Sequence, residues 1–329
     1  MATQWLRRAW LHAACASALL LAACGGSSIV QGFTPTRVVA FGDASADLGQ
    51  NGRRFTVNDG SVNNWTQFVA EAYGQRLTPS SAGGLSFAVG NARVTAKPDA
   101  AGNASTPTVK EQIDTFLASG TLNESDLVIV SAGYSDVIVQ AQAVMDGRIS
   151  AAEAQVNVEQ AAQDLSDQVR RLVNAGAKHV LVSGPYDMSK SAWAAQTGQG
   201  TLLEHLSALS GNTGADQPRS FNERLLISMV DLGDNVLYVD SALEFNLETG
   251  NPTSSAFALT DVTNPVCTSV DPGPGIGTGP GQVNSNLCTT DTVGGRDPQA
   301  FLFADRVYPT PHGHRIFGDF AFNRSHDRW

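Results

Sequence analysis

The sequence predicts an α/β fold, a three-layer α/β/α sandwich built on a five-stranded parallel sheet. Two observations carry this. Five short apolar runs recur along the chain, most of them ending at a glycine, and amphipathic stretches with helical spacing lie between them. Runs that are apolar throughout, without alternation, fit strands covered on both faces by helices. In such sheets, ligand sites lie beyond the C-terminal ends of the strands. That rule points at Gly42-Asp43, Gly90-Asn91, Gly133 and Gly184-Pro185.

The elements follow in order. Arg7 and Arg8 precede an apolar run from Ala13 to Ala23 that is short for a bilayer span. It ends in Leu21-Ala22-Ala23-Cys24-Gly25, the pattern of a bacterial lipobox, with Cys24 as the acylated residue. Residues 1–23 are expected to be a lipoprotein signal peptide, 24–36 a flexible tether, and 37–329 a single domain. A plain secretory leader with an incidental cysteine is the alternative. A lipidated Cys24 would make the protein exported and anchored at the outer membrane. Val38-Val39-Ala40-Phe41 is the first strand. Trp65, Phe68, Val69 and Ala72 then mark a helix by their spacing. Ser86-Phe87-Ala88-Val89 is the second strand, followed by a helix through Val109, Ile113, Phe116 and Leu117. Leu127-Val128-Ile129-Val130 is the third strand. A long helix runs from about Ser150 to Asn174 and closes at Ala175-Gly176. His179-Val180-Leu181-Val182 and Val236-Leu237-Tyr238-Val239 complete the sheet, and a last helix follows Pro309-Thr310.

Composition narrows the function. Hydrophobic residues make up 42% and charged residues 16% of 329, an ordinary globular balance. The formal charge is −10, and loss of the leader removes two arginines. Such a surface disfavours nucleic acid. Cys15 leaves with the leader and Cys24 takes lipid, so Cys267 and Cys288 remain in an oxidising compartment and are expected to form a disulfide. Free thiols or a metal pair are weaker readings, since no further Cys or His has metal-site spacing nearby. The intervening Gly/Pro stretch is expected to be a flexible loop and lacks the Gly-Lys-Ser/Thr of a phosphate loop. No cofactor and no metal site is expected, and the body should be a monomer.

Four segments carry a family resemblance. Phe41-Gly42-Asp43-Ala44-Ser45-Ala46-Asp47-Leu48-Gly49 resembles the first block of the SGNH/GDSL hydrolases, Phe-Gly-Asp-Ser-Leu-Ser-Asp-x-Gly. Phe87-Ala88-Val89-Gly90-Asn91-Ala92 is similar to the second, Ala132-Gly133-Tyr134-Ser135-Asp136 to the third, and Phe301-Leu302-Phe303-Ala304-Asp305-Arg306-Val307-Tyr308-Pro309-Thr310 to the last, Phe-x-Asp-x-x-His-Pro-Thr. Asn251-Pro252 through Cys267 is similar to the cysteine-bearing loop that precedes the last block in many members. The resemblance runs from about Arg37 to the C-terminus. It implies a flavodoxin-like SGNH hydrolase fold and carboxylester or lipid substrates. It also implies a serine nucleophile, a histidine base held by an aspartate three residues earlier, and an oxyanion site built from the serine amide, a glycine and an asparagine.

Transferred position by position, that machinery is incomplete. Ala44 stands where the nucleophile belongs and offers no side-chain oxygen. Ser135 stands at the oxyanion asparagine, and Tyr308 at the histidine. Gly90 and Asp305 match. Ser45 and His312 are the rescue candidates, Ser45 by adjacency and His312 by reach. His314 matches a second histidine common after Pro-Thr and reads as a buried helix residue. Asp43 and Asp47 are expected to bind backbone amides around Ala44. Two functions remain: an ester hydrolase whose nucleophile is absent or displaced to Ser45, or a lipoprotein that holds a lipid or glycan without turning it over. Replacement at three positions argues against a single change in an otherwise active protein.

Overall fold

The computed structural model describes residues 32–208 and 218–329. The expected signal peptide and lipobox, with Cys24, lie outside the described residues. Thr34–Trp329 forms one compact unit.

Four strands, β1 (Arg37–Gly42), β2 (Asp126–Ser131), β3 (His179–Ser183) and β4 (Val236–Tyr238), form a parallel sheet in that order. All six residues of β2 are buried, as a central strand covered on both faces requires. The expected fifth strand is an irregular edge. Ser86–Val89 runs alongside β1 through Phe87 N–H to Ala40 O (2.7 Å) and Val89 N–H to Gly42 O (3.2 Å). The one regular bridge joins Ala40 to Ser86, with Ala40 N–H also donating to Leu85 O (3.0 Å), while the main-chain groups of Ser86 itself face away from β1 and pair with the turn at residues 78–80. Ser86 N–H donates to Thr78 O (3.0 Å), and Ser80 N–H donates to Ser86 O (2.7 Å). With this segment as the second strand in chain order, the spatial order is 2-1-3-4-5, the flavodoxin-like arrangement. The direction of strand addition reverses between β1 and β2, so the loops leaving these two strands open onto the crevice of the sheet.

Helices cover both faces. α1 (Trp65–Ala72), α8 (Ser241–Gly250) and α9 (Pro311–Arg328) pack together on one side. The other side holds α2 (Val109–Ser119), α3 (Tyr134–Met145), α4 (Ala151–Asn174) and α7 (Phe221–Ser228). Short helices α5 (Ala192–Thr197) and α6 (Gly200–Ser207) lie between β3 and α7 in sequence. Local sequence sets these ends. Thr108 and Glu111 close α2 with a reciprocal capping box, Ser150 caps α4, and Thr310 caps α9 with Pro311 in its first turn. On α4, Ala154, Val158, Ala161, Leu165, Val169 and Leu172 are buried at helical spacing.

The C-terminal third is more ordered than its glycine content suggests. β5 (Asp261–Pro265) pairs with β8 (Phe301–Phe303). Inside the expected flexible loop, β6 (Val270–Asp271) and β7 (Gln282–Val283) form a short antiparallel pair. The Asp271 carboxylate holds this hairpin by accepting from Gly273 N–H (2.8 Å) and Asn284 Nδ2 (2.9 Å). Cys267 and Cys288 are disulfide-bonded and buried against Val57, Val266, Val293 and Ala304.

Candidate active site

The first turn leaves β1 at Gly42. A Cβ there would lie 1.9 Å from Ser131 O, so only glycine fits beside the end of β2. The Gln112 side chain clamps Gly42 from the other side, accepting its N–H and donating to its carbonyl, both at 2.9 Å. Asp43 then organises the turn. One carboxylate oxygen accepts from Ser45 N–H (3.0 Å) and Ser45 Oγ (2.8 Å), and the other from Tyr134 N–H (2.9 Å) at the start of α3. Burial pushes the Asp43 pKa up to about 6, and these hydrogen bonds limit the rise. Ala44 is buried within this turn. Ser45 Oγ also lies 2.8 Å from Ser131 Oγ, so its hydroxyl is held between two partners.

The second block is occupied from within. Gly90 N–H donates to Asp47 Oδ2 (2.8 Å), while Asp47 Oδ1 accepts from the amides of Gly49 and Gln50. A Cβ on Gly90 would lie 2.0 Å from the Phe55 ring, so that ring lies directly against the glycine. Burial raises the Asp47 pKa to about 6 against the pull of these amides.

In the third block, Gly133 precedes α3, which places Ser135 in the first turn of the helix. The Ser135 hydroxyl is buried without a hydrogen-bond partner. Asp136 is spent on structure, accepting from Val94 N–H (2.9 Å) and Arg93 Nε (3.1 Å).

In the last block, Asp305 is fully buried. Its Oδ1 accepts from Val307 N–H (2.8 Å) and Tyr308 N–H (2.7 Å). Its Oδ2 accepts from Ser285 N–H (3.0 Å) and the Ser285 hydroxyl. Burial raises its pKa, and the Ser285 and main-chain donors oppose that. The Tyr308 ring packs edge-on against Phe55 (5.5 Å between centroids) and tilted against Tyr134 (6.0 Å). Its hydroxyl is buried and unpartnered. Burial, with Asp43, Asp305 and Tyr134 nearby, holds the phenol pKa well above its usual value, and the Ser135 hydroxyl, outside hydrogen-bond geometry, opposes this only weakly.

These residues divide between two spaces. Ser45, Ser131, Tyr134, Tyr308 and His314, with a wall of Trp65, Phe245 and Phe317, enclose a cavity of about 10 Å³, at the threshold for one water. Gly90 faces a separate open hollow beside Asp47, Asn51 and Phe55. The Phe55–Tyr308 pair stands between the two. Ala44 lines neither. Ser135 does not line the cavity, and its main chain meets the site at Asp43.

The two α9 histidines behave differently. His312 Nε2 lies 2.7 Å from Phe257 O, in the loop after α8, and does not face the cavity. His314 does. Burial pulls its pKa down to about 3, so the ring is neutral. Its Nδ1 accepts from Trp65 N–H (3.4 Å), which leaves the proton on Nε2, an atom without a partner. Phe55 and Ser285 carry no signal in the sequence, since neither belongs to a block. Among the described residues, no three His, Cys, Asp or Glu side chains cluster as a metal site would require.

The model of the GDSL-like lipase/acylhydrolase family matches residues 38–320. No curated protein matches the chain. Among solved structures, a member of the lipolytic protein G-D-S-L family from Veillonella parvula DSM 2008 aligns over 87% of this chain and 96% of its own, at 10% identity and a TM-score of 0.44. The fold assignment rests on strand order and layering instead.

Proposed function

Because this chain belongs to the GDSL-like lipase/acylhydrolase family, we propose that it is a member that no longer hydrolyses esters at the family's serine position and holds its ligand without turnover. The observation that carries this reading is that the positions of the nucleophile and the base hold Ala44 and Tyr308, both buried. The Asp305 carboxylate, which would orient a histidine, has two donors on each oxygen, from the Val307 and Tyr308 amides and from Ser285. The residue three positions on is a phenol, whose raised pKa makes it no base at neutral pH. Ala44 offers no attacking atom. Gly90 N–H is already given to Asp47, and loss of one oxyanion donor alone typically costs about 100- to 1,000-fold in rate.

A displaced site is the second reading, because Ser45 and His314 line one cavity. Against it, Ser45 is hydrogen-bonded to Asp43, and His314 Nδ1, the ring atom that could act as a base, already accepts from Trp65 N–H.

The test pairs hydrolysis of p-nitrophenyl butyrate with fluorophosphonate labelling. Three proteins are compared: the unaltered protein, Ala44→Ser, and Ala44→Ser with Tyr308→His. The expected result is no turnover and no label in the first, with both gained in the double variant. Label on Ser45 of the unaltered protein would overturn the proposal.

We also infer export and lipid attachment at Cys24, with the protein held at the outer membrane. The Cys267–Cys288 disulfide supports an oxidising compartment. The unaltered protein should partition into detergent-rich membrane fractions, and Cys24→Ser should release it.

A further inference from the structure

Beyond the sealed cavity, the C-terminal edge of the sheet carries two adjoining open hollows, of about 450 and 220 Å³. They share Asn51, Val89, Asn103 and Thr106 as a common wall. Together they approach the size of ordinary small-ligand sites, whereas the cavity behind Tyr308 does not.

The chemistry of the lining is uniform. It contains no lysine, arginine, histidine or glutamate. The two carboxylates present are held by local hydrogen bonds. Asp47 accepts from the Gly49, Gln50 and Gly90 amides. Asp99 accepts from Ala101 N–H (2.9 Å), Asn103 N–H (2.8 Å) and Thr106 Oγ1 (2.6 Å). No unsatisfied charge is left to select an ion. What remains is a wall of amides and hydroxyls interleaved with Val89, Ala101 and Pro107 and two aromatic rings, Phe87 in the larger hollow and Phe55 in the smaller.

Part of that polar wall is free. Asn51 is exposed and makes no side-chain hydrogen bond among the described residues, and the Asn103 Nδ2 group is likewise uncommitted. The Ser105 hydroxyl donates to Asn103 Oδ1 (2.8 Å) and keeps its lone pairs. The cleft therefore presents neutral donors and neutral acceptors side by side. A ligand group that is donor and acceptor at once, and uncharged, is an alcohol. A ligand carrying many alcohols on a scaffold with C–H faces for aromatic rings is a sugar chain. An acyl chain would leave these amides desolvated and unpaired.

We infer that this double hollow binds a neutral oligosaccharide. The inference rests on the non-hydrolytic reading above and names the ligand class for that reading. The cleft lies outside the Phe55–Tyr308 pair, so a sugar chain can occupy it without entering the sealed cavity.

The experiment is isothermal titration of the exported protein with xylohexaose, cellohexaose and chitohexaose, with laurate as the apolar control. Asn51→Ala/Asn103→Ala is titrated in parallel, and p-nitrophenyl butyrate turnover is recorded for every sample. Both substitutions are on exposed side chains, and an unchanged melting temperature verifies their folding. The expected result is binding of at least one hexasaccharide, weakened about tenfold or more in the double variant, without ester turnover. Failure of all three sugars, or equal affinity in the variant, overturns the sugar-cleft inference. If laurate alone binds without turnover, the non-hydrolytic reading stands while the sugar inference falls. If the unaltered protein turns over ester, the parent reading falls independently of what the titrations show.

Discussion

Ser285 donates both its amide and its hydroxyl to the same oxygen of Asp305, 20 positions further along the chain. Asp305 therefore has no acceptor left over, and the contact depends on a segment held by the disulfide three residues beyond Ser285. Ser285→Ala should destabilise the protein by about 1–3 kcal/mol, the range for a buried hydrogen bond to a carboxylate. In the Ala44→Ser/Tyr308→His background it should raise fluorophosphonate labelling, because Asp305 Oδ2 becomes available to the introduced imidazole. Urea unfolding reads the first effect and labelling rate the second. Unchanged labelling would show that Ser285 does not compete for the carboxylate.

Removing the disulfide should cost more. The two cysteines are 21 residues apart, and a loop of that size corresponds to about 3 kcal/mol in the chain-entropy account. Cys267→Ser/Cys288→Ser, compared with the parent by urea denaturation under non-reducing conditions, should show that loss. Equal midpoints would mean that the hairpin β6–β7 and the surrounding packing hold the segment alone.

Acid should stabilise this protein before it denatures it. Asp43 and Asp47 titrate at about 6 in the folded state, above the ordinary 3.8. The folded state binds their protons more tightly, so their contribution to stability grows as pH falls from about 6 toward 4. Asp136, Asp305 and Glu248 are raised for the same reason, burial, and act in the same direction. His314 acts oppositely. Its folded value of about 3 lies below the ordinary 6.5, so its contribution is present above 6.5 and is lost as pH falls. Burial lowers His179 as well, and these two imidazoles are outweighed by the five raised carboxyls, so the melting temperature should be higher near pH 5 than near pH 7.5. Asp47→Asn should reduce that rise. A melting temperature that falls steadily on acidification would show that the histidines dominate.

Glu248 offers a direct gain. Both its carboxyl oxygens are buried in α8 without a partner, and burial, then Glu244, raise its pKa well above the usual range. Holding that group at neutral pH is unfavourable whichever protonation state it takes. Glu248→Leu should raise stability near pH 7.5 by about 1–3 kcal/mol and remove part of the acid dependence. Loss of stability in this variant would mean that a water or neighbour satisfies the carboxyl.

The parts of the molecule visible in the sequence are those whose physics is local. Leu127–Val130 is apolar throughout because a central parallel strand is covered on both faces, and the runs at Val38 and Val180 are legible for the same reason. Gly42, Asp43 and Asp47 sit in a turn whose geometry admits few residues, so the block is readable from its spacing. Ser86–Val89 reads as a strand by composition, and it does run beside β1, though with a single regular bridge. Phe55 was silent because its partners are Gly90 and Tyr308, far along the chain. The α9 histidines show a subtler limit. Residues 312 and 314 lie about 200° apart around a helix, so only one can face the cavity. Proximity to Tyr308 in sequence favours His312, whereas the phase of α9 turns His314 inward.

Asp43 fastens its turn entirely through Ser45 and the Tyr134 amide, and asks nothing of the side chain between them. The architecture is thus indifferent to whether position 44 carries a hydroxyl. A serine introduced there would bury its hydroxyl without displacing any of the hydrogen bonds that fasten the turn.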